Sequence, residues 1–238
     1  PDNVDILQQR AFSLIQSDKI DEAVADLRTL LKKNPENIVV AATLVEYLAG
    51  NDKQKEALEI ANETVKQQPE DIRVYKLRSR LHLLLDNTDE AIADLDKGLE
   101  IEPRSLDLLI TRAAVYESVK QYDKALADLT RAEKIRPGLP RAALLRSMIY
   151  QRIERFDDAA LQLRRLVRLN PGNAQLRLQL GFCYSMGNHH KLAIEEFSRV
   201  IEIDKENWIA FYSRGDTQLN IGKHKIGRAS CRKECRSR

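Results

Sequence analysis

Apolar residues recur along this chain at the spacing of amphipathic helices, in pairs of segments separated by short polar stretches. In residues 106–120, LDLLITRAAVYESVK, the residues Leu109, Ala113 and Tyr116 recur at three- and four-residue steps and predict one helix. The stretch QYDK reads as a turn. KALADLTRAEKI follows with Ala125, Leu129 and Ala132 at the same spacing, which predicts a second helix. Pro137 ends it, because proline lacks an N–H and clashes with the preceding turn.

This helical pair recurs. Proline stands at 1, 35, 69, 103, 137 and 171, and alanine at 23, 57, 91, 125, 159 and 193, each 34 residues on. Two residue ladders in one phase mark an internal repeat. Two residues beyond each step of this ladder, whose next step falls on Lys205, stand Asn3, Asn37, Asp71, Ser105, Asn173 and Asn207, side chains that cap helix N-termini. Leu139 is the exception, where Pro140 can take the first helical position. Asp21, Asp89, Asp123 and Asp157 are expected to cap the second helices and to suit their positive ends. The alanine ladder implies close approach of two helices, so Ala125→Leu should cost about 1–3 kcal/mol by overpacking.

These residues resemble the tetratricopeptide repeat family. Its unit has small residues at positions 8 and 20, aromatics at 11 and 24, and proline at 32. Here position 8 is Ala11, Ala113 and Gly181, and position 11 is Tyr116, Tyr150 and Tyr184. The resemblance covers residues 1–225, with units 4–37, 38–71, 72–105, 106–139, 140–173 and 174–207 and a partial unit from Trp208 to residue 225. The second unit matches least, with Val45 at position 8 and Ala61 at position 24. The resemblance implies an all-α fold, a right-handed α-α superhelix (solenoid) of helix-turn-helix repeats. It also implies a concave groove lined by the first helices, which commonly binds peptides or proteins.

The phase bears on the two ends. Pro1-Asp2-Asn3 matches the end of a unit, so a further repeat is expected upstream. WIAFYSRGDTQLNIGKHK reads as a first helix and turn, after which phase asks for alanine at 227, where Gly227 stands. Ile226-Gly227-Arg228-Ala229 is what ATC-GGA-AGA-GC encodes, which resembles a common sequencing adapter. Residues 226–238 are therefore expected to be read-through; the alternative is a genuine basic tail. That tail holds five Arg/Lys and one Glu, and removing its +4 from the formal +3 leaves −1 for residues 1–225. The body is near neutral, which argues against nucleic acid as a partner. Cys231 and Cys235 lie in the tail, so one body cysteine, Cys183, makes neither a disulfide framework nor a metal site. No run of 18 apolar residues suggests a membrane span.

Catalytic signatures are missing: no phosphate-binding glycine loop, no GxSxG and no HExxH occurs. No catalytic residue, cofactor or metal is expected. His189 and His190 read as turn residues, His82 as packed between helices and Cys183 as a small hydrophobe. Arg10, Arg78, Arg112, Arg146 and Arg214 share position 7, and Asp26, Asp94 and Asp128 share position 23. Arg–carboxylate pairs within or between units are one expectation, with Arg112 joined to Asp94 or Asp128 and Glu196 near Arg214; solvated faces are the other. The second unit has Leu44 and Ile60 at these positions.

By the resemblance, positions 2, 5, 9 and 12 of the first helices face the groove. These supply Arg73, Lys76 and Arg80, then Asp107 and Ile110, then Arg141, Met148, Leu178 and Phe182. A basic patch beside an apolar stretch suits a peptide or protein partner with an acidic residue and a hydrophobic anchor; a solvated charged face is the alternative. Lys76 matches one residue of the family's C-terminal carboxylate clamp, but Arg80 and Thr111 stand where asparagines belong. The leading reading is an interaction scaffold. The second is the repeat arm of a larger enzyme, such as a glycosyltransferase.

Overall fold

The structure, a computed structural model, describes residues 4–17 and 19–236, with side chains described as far as residue 222. The described residues form helices only. They are α1 (Val4–Gln16), α2 (Ile20–Lys33), α3 (Ile38–Gly50), α4 (Gln54–Gln67), α5 (Ile72–Leu84), α6 (Thr88–Ile101), α7 (Leu106–Ser118), α8 (Tyr122–Ile135), α9 (Pro140–Arg152), α10 (Phe156–Leu169), α11 (Ala174–Met186), α12 (His190–Ile203) and α13 (Trp208–Arg236). Odd helices up to α11 have 13 residues and even helices 14. The chain forms two compact units, Pro1–Val119 with α1–α7 and Lys120–Arg238 with α8–α13. In the first unit α1 packs on α2, α3 on α4 and α5 on α6, and each hairpin packs on the next. In the second, α9 packs on α10, α11 on α12, and α12 on α13. This is the adjacent-pair packing of an α solenoid.

Local chemistry sets the period. Asn37, Asp71 and Asn173 accept from Val40, Arg73 and Leu176 N–H at the starts of α3, α5 and α11, and Asn207 accepts from Ala210 N–H at 3.1 Å. Ser105 stands at the cap of α7 without a side-chain cap bond. Pro140 takes the first position of α9. Asn3 lies outside the described residues. Each second helix from α2 to α10 ends two residues before a proline.

The first helices stop in another way. Residue 15 of the repeat is left-handed five times: Asp52, Asp86, Lys120, Glu154 and Asn188 have φ of 58 to 62°. The next residue donates back five residues to the helix, as in Lys53 N–H to Leu48 O at 2.9 Å, Asn87 to His82 at 2.8 Å, Arg155 to Tyr150 at 2.8 Å and His189 to Tyr184 at 2.7 Å. This is the hydrogen bond of a Schellman turn. It corrects the expected caps of the second helices. The residue after position 15 occupies the N-cap, so Lys19, Asn87, Gln121 and Arg155 stand there, none with a side-chain cap bond. Asp21, Asp89, Asp123 and Asp157 fall second in their helices, where they still meet the positive helix end. The turn expected within QYDK likewise closes earlier, because Tyr122 already opens α8. The turn expected within WIAFYSRGDTQLNIGKHK does not form: α13 runs unbroken from Trp208 to Arg236.

The alanine ladder is fully buried at every step. Around it, core side chains of one unit interlock: Leu7, Ala11, Leu27, Val45, Ala61 and Leu81 in the first, and Ala159, Leu163, Leu180, Cys183, Tyr184 and Phe197 in the second. His82 is mostly covered, with Nε2 3.9 Å from Asp94. His189, exposed beside α12, instead bonds Asp157 Oδ1 at 2.7 Å.

Candidate partner-binding surfaces

The arginines of position 7 are structural. Arg10 grips Asp26, with Nε 2.6 Å from Oδ2. Arg78 binds Asp94 at 2.9 and 2.5 Å and also donates to Asn62 at 3.0 Å. Arg78 thus ties α5 both to α6 and to the preceding hairpin. Hydrogen bonding and charge from the aspartates raise the pKa of both guanidinium groups. The later arginines use the backward reach. Arg112 donates to Asp96 at 2.5 Å, Arg146 comes within 3.4 Å of Thr130, and Arg214 within 3.3 Å of Ser198. Two expectations are corrected: Asp94 serves Arg78 rather than Arg112, which donates to Asp96, and Glu196 accepts from Arg177 at 2.7 Å rather than from Arg214. Arg177 also donates to Pro171 O at 2.7 Å.

In the first unit the cations of the expected patch carry carboxylates of their own. Arg73 pairs with Asp71, the cap of its helix, at 2.5 Å. That hydrogen bond lowers the Asp71 pKa and raises that of Arg73. Lys76 of α5 pairs with Asp107 of α7. Arg80 pairs with Glu46, the same repeat position on α3, at 2.8 Å. The surface is a charge-balanced lattice rather than a bare basic patch. Ile110 is only 5% exposed, so it belongs to the core and not to an open groove. Beside the Arg80–Glu46 pair lies a cleft of about 370 Å³ lined by Val45, Ala49, Leu77 and Leu84. Leu84 and Glu46 were not among the sequence candidates, although an aliphatic residue at the end of a first helix was a usable signal.

In the second unit Leu178 is also 5% exposed and sits in the core, a correction of the same kind. Position 5 of these two helices faces the packed side. Arg141 is exposed on α9. Met148 of α9 and Phe182 of α11 are exposed, and so are Leu144, Met186 and Tyr212, which sequence reasoning missed. Leu144 and Met148 lie one turn apart on α9 and share a face. The Phe182 ring stands edge-on to the buried Phe197 at 5.5 Å, which holds it in place while one side remains open. Cys183 is buried beside it and its thiol pKa is pushed up to about 11 by burial, so the sulfur stays neutral and inert. Among the described residues no group of three or more His, Cys, Asp or Glu could hold a metal ion, and no helix is long and apolar enough to cross a membrane.

Sequence models of the tetratricopeptide repeat match residues 14–81, 72–105, 110–174 and 144–207. The chain belongs to the tetratricopeptide repeat family. Comparison with curated proteins gives no match. Among solved structures, the chain is similar to a tetratricopeptide repeat protein from Parabacteroides merdae, at 18% identity and TM-score 0.68, over 93% of this chain and 88% of that one. YrrB, described as a TPR protein with an unusual peptide-binding site, is 18% identical with TM-score 0.62, over 79% of this chain and 97% of its own. Pseudomonas aeruginosa pilF is 14% identical with TM-score 0.66, over 91% and 97%. At these identities the likeness is one of fold. A tetratricopeptide fold of this kind is a scaffold for protein interaction.

Proposed function

We propose that this scaffold binds a peptide segment of a partner protein through the first-helix face of its repeats, and that an apolar anchor on the peptide supplies most of the contact energy. The observation that carries this reading is the set of exposed apolar side chains on that face: Leu84 in the first unit, and Leu144, Met148, Phe182, Met186 and Tyr212 in the second. Large apolar side chains grouped at a surface favour partner contact, and methionines adapt to varied partners. The peptide-binding site named for YrrB is in keeping with this reading.

The charged residues Arg73, Lys76, Arg80, Asp107 and Arg141 then act on register more than on affinity. An acidic partner residue must compete with Asp71, Asp107 or Glu46 for its cation, and such an exchange between exposed pairs is nearly neutral in energy. A random-peptide display selection against the protein tests the proposal. Enriched peptides should share an aromatic or aliphatic anchor, and Met148→Glu or Tyr212→Glu should weaken them about tenfold or more, as expected for loss of a buried anchor. Enrichment of purely charged peptides indifferent to both changes would reject it.

A further inference from the structure

The second hairpin departs from its neighbours where they are bolted together. In the third hairpin Arg78 joins Asp94 and the preceding Asn62. The equivalent three positions one repeat earlier are Leu44, Ile60 and Arg28. Leu44 cannot bridge, Ile60 cannot accept, and Arg28 turns to Glu56 instead. The space that an arginine spans in the third hairpin is left as a cavity of about 340 Å³, lined by Leu31, Pro35, Leu44 and Ile60 with Arg28 and Lys32 at its rim. The sixth hairpin also has leucine at position 7, Leu180, but it keeps Glu196, which Arg177 covers. In the second hairpin both members are aliphatic.

This cavity lies on α2, α3 and α4 and uses repeat positions 7, 23, 25 and 28, not the face considered above. Its volume reaches the range of small-ligand pockets, about 300–1,000 Å³. Its floor is apolar, so the occupant's buried part must be apolar too, since a polar group would lose its water without a partner. The rim supplies the sign. Lys32 is exposed and in no ion pair among the described residues, and Arg28 stands beside it. Glu63 also reaches the rim, but its carboxylate is engaged by Lys66 at 3.7 Å and by Gln67 at 3.2 Å.

We infer that this cavity is a second docking site, for a peptide segment of a partner that inserts a leucine-sized aliphatic side chain between Leu44 and Ile60 and sets a neighbouring carboxylate against Lys32. One position dictated by apolar fit and one by charge define the segment, in the manner of anchor-plus-charge peptide recognition.

The test is an amide NMR titration of the whole chain with two probes, acetyl-Asp-Leu-Leu-Asp-amide and acetyl-Lys-Leu-Leu-Lys-amide. The acidic probe should shift Leu31, Lys32, Leu44 and Ile60 at millimolar concentration, and the basic probe should not. Lys32→Glu, an exposed change, should weaken the acidic probe about fivefold or more, the size of one or two exposed ion pairs. The double variant L44R/I60D rebuilds the arginine–aspartate pair of the third hairpin and fills the cavity. It should stay folded by circular dichroism and bind the acidic probe no better than background. Lys205→Glu, an exposed change outside both surfaces, should leave binding unchanged. Equal shifts with both probes, shifts confined to residues outside the cavity, unaltered affinity in Lys32→Glu and L44R/I60D, or no shifts at millimolar probe would each overturn the inference. Should L44R/I60D unfold, Lys32→Glu alone decides.

Discussion

The ring of Phe197 occupies the space that a side chain on residue 181 would need: a Cβ built on Gly181 lies 2.5 Å from Phe197 Cε1 and 2.8 Å from Cδ1. Real Cβ contacts do not come that close, and Phe197 is fully buried, so the ring cannot swing away into solvent. The two residues stand at positions 8 and 24 of one repeat. The same two positions trade volume elsewhere in the chain. The first hairpin has Ala11 with Leu27, and the second has Val45 with Ala61, all buried in one cluster. Val45 and Ala61 are therefore not a decayed repeat but the opposite division of the same space.

Gly181→Ala is the direct probe of that relationship. Alanine gains about 1 kcal/mol of helix propensity over glycine, whereas overpacking a filled core costs about 1–3 kcal/mol. The second effect should win, so the variant should unfold at lower urea. Phe197→Leu in the same chain should recover most of the loss, because leucine is what the first hairpin holds at that place. Urea unfolding of both variants and of Phe197→Leu alone decides the point. If Gly181→Ala proves more stable than the parent, the close approach is not real.

A left-handed residue ends five first helices, yet none of the five is glycine. Asp and Asn tolerate that conformation; Lys120 and Glu154 pay a steric cost of about 1 kcal/mol each. Glu154→Gly removes that cost but adds unfolded-chain entropy of about 0.4–1 kcal/mol, so the net change should run from nil to a few tenths of a kcal/mol of stabilisation. Glu154→Val should lose more than 1 kcal/mol, because a β-branched side chain fits that region worst. Thermal unfolding of the pair gives the order Gly, then Glu, then Val. The reverse order would show that the turn does not hold residue 154 at φ 58°.

Much of this was legible in the sequence, because a repeat period states which positions are equivalent. The two ladders, the starts of the first helices at Asn37, Asp71 and Asn173, and the proline stops all followed from it. Pairing did not follow. A guanidinium at position 7 reaches position 23 of its own hairpin and position 25 of the one before, and the sequence does not say which it takes. Arg10 takes Asp26 of its own hairpin, Arg112 reaches back to Asp96, and Arg78 binds both Asp94 and Asn62. Glu196 found Arg177 because Leu180 left it without a position-7 partner. Burial at position 5 was equally hidden. Ile110 and Leu178 turn inward while Lys76 and Leu144 do not, and that depends on neighbours in space rather than on phase.

Two position-7 pairs differ in exposure, and this should be measurable. The Arg78 and Asp94 side chains are 23% and 6% exposed, against 58% and 8% for Arg10 and Asp26. A double-mutant cycle with Arg→Met and Asp→Asn should give coupling of about 1–3 kcal/mol at Arg78–Asp94 and about 0–1 kcal/mol at Arg10–Asp26. Arg78→Met alone should be the worst single change, since it leaves the Asp94 carboxylate covered without its cation. Equal coupling at both sites would mean that water screens them alike.

Burial of Cys183 sets a stability limit on the alkaline side. Its thiol pKa rises from an ordinary 9.0 to about 11 because burial disfavours the thiolate. A raised folded-state value favours the folded chain wherever the thiol is neutral in both states, so the contribution is whole below about pH 9. As pH climbs from 9 to 11 the unfolded thiol ionises and the folded one resists, and that contribution falls away. Two pKa units correspond to a loss on the order of 2–3 kcal/mol. Cys183→Ala lacks the titrating group. It should start less stable than the parent by the cost of a small core cavity, and the gap should narrow between about pH 8 and about pH 10.5. Urea midpoints of the two chains at both pH values test this. A gap that stays constant would place the Cys183 thiolate in contact with water, against its burial here.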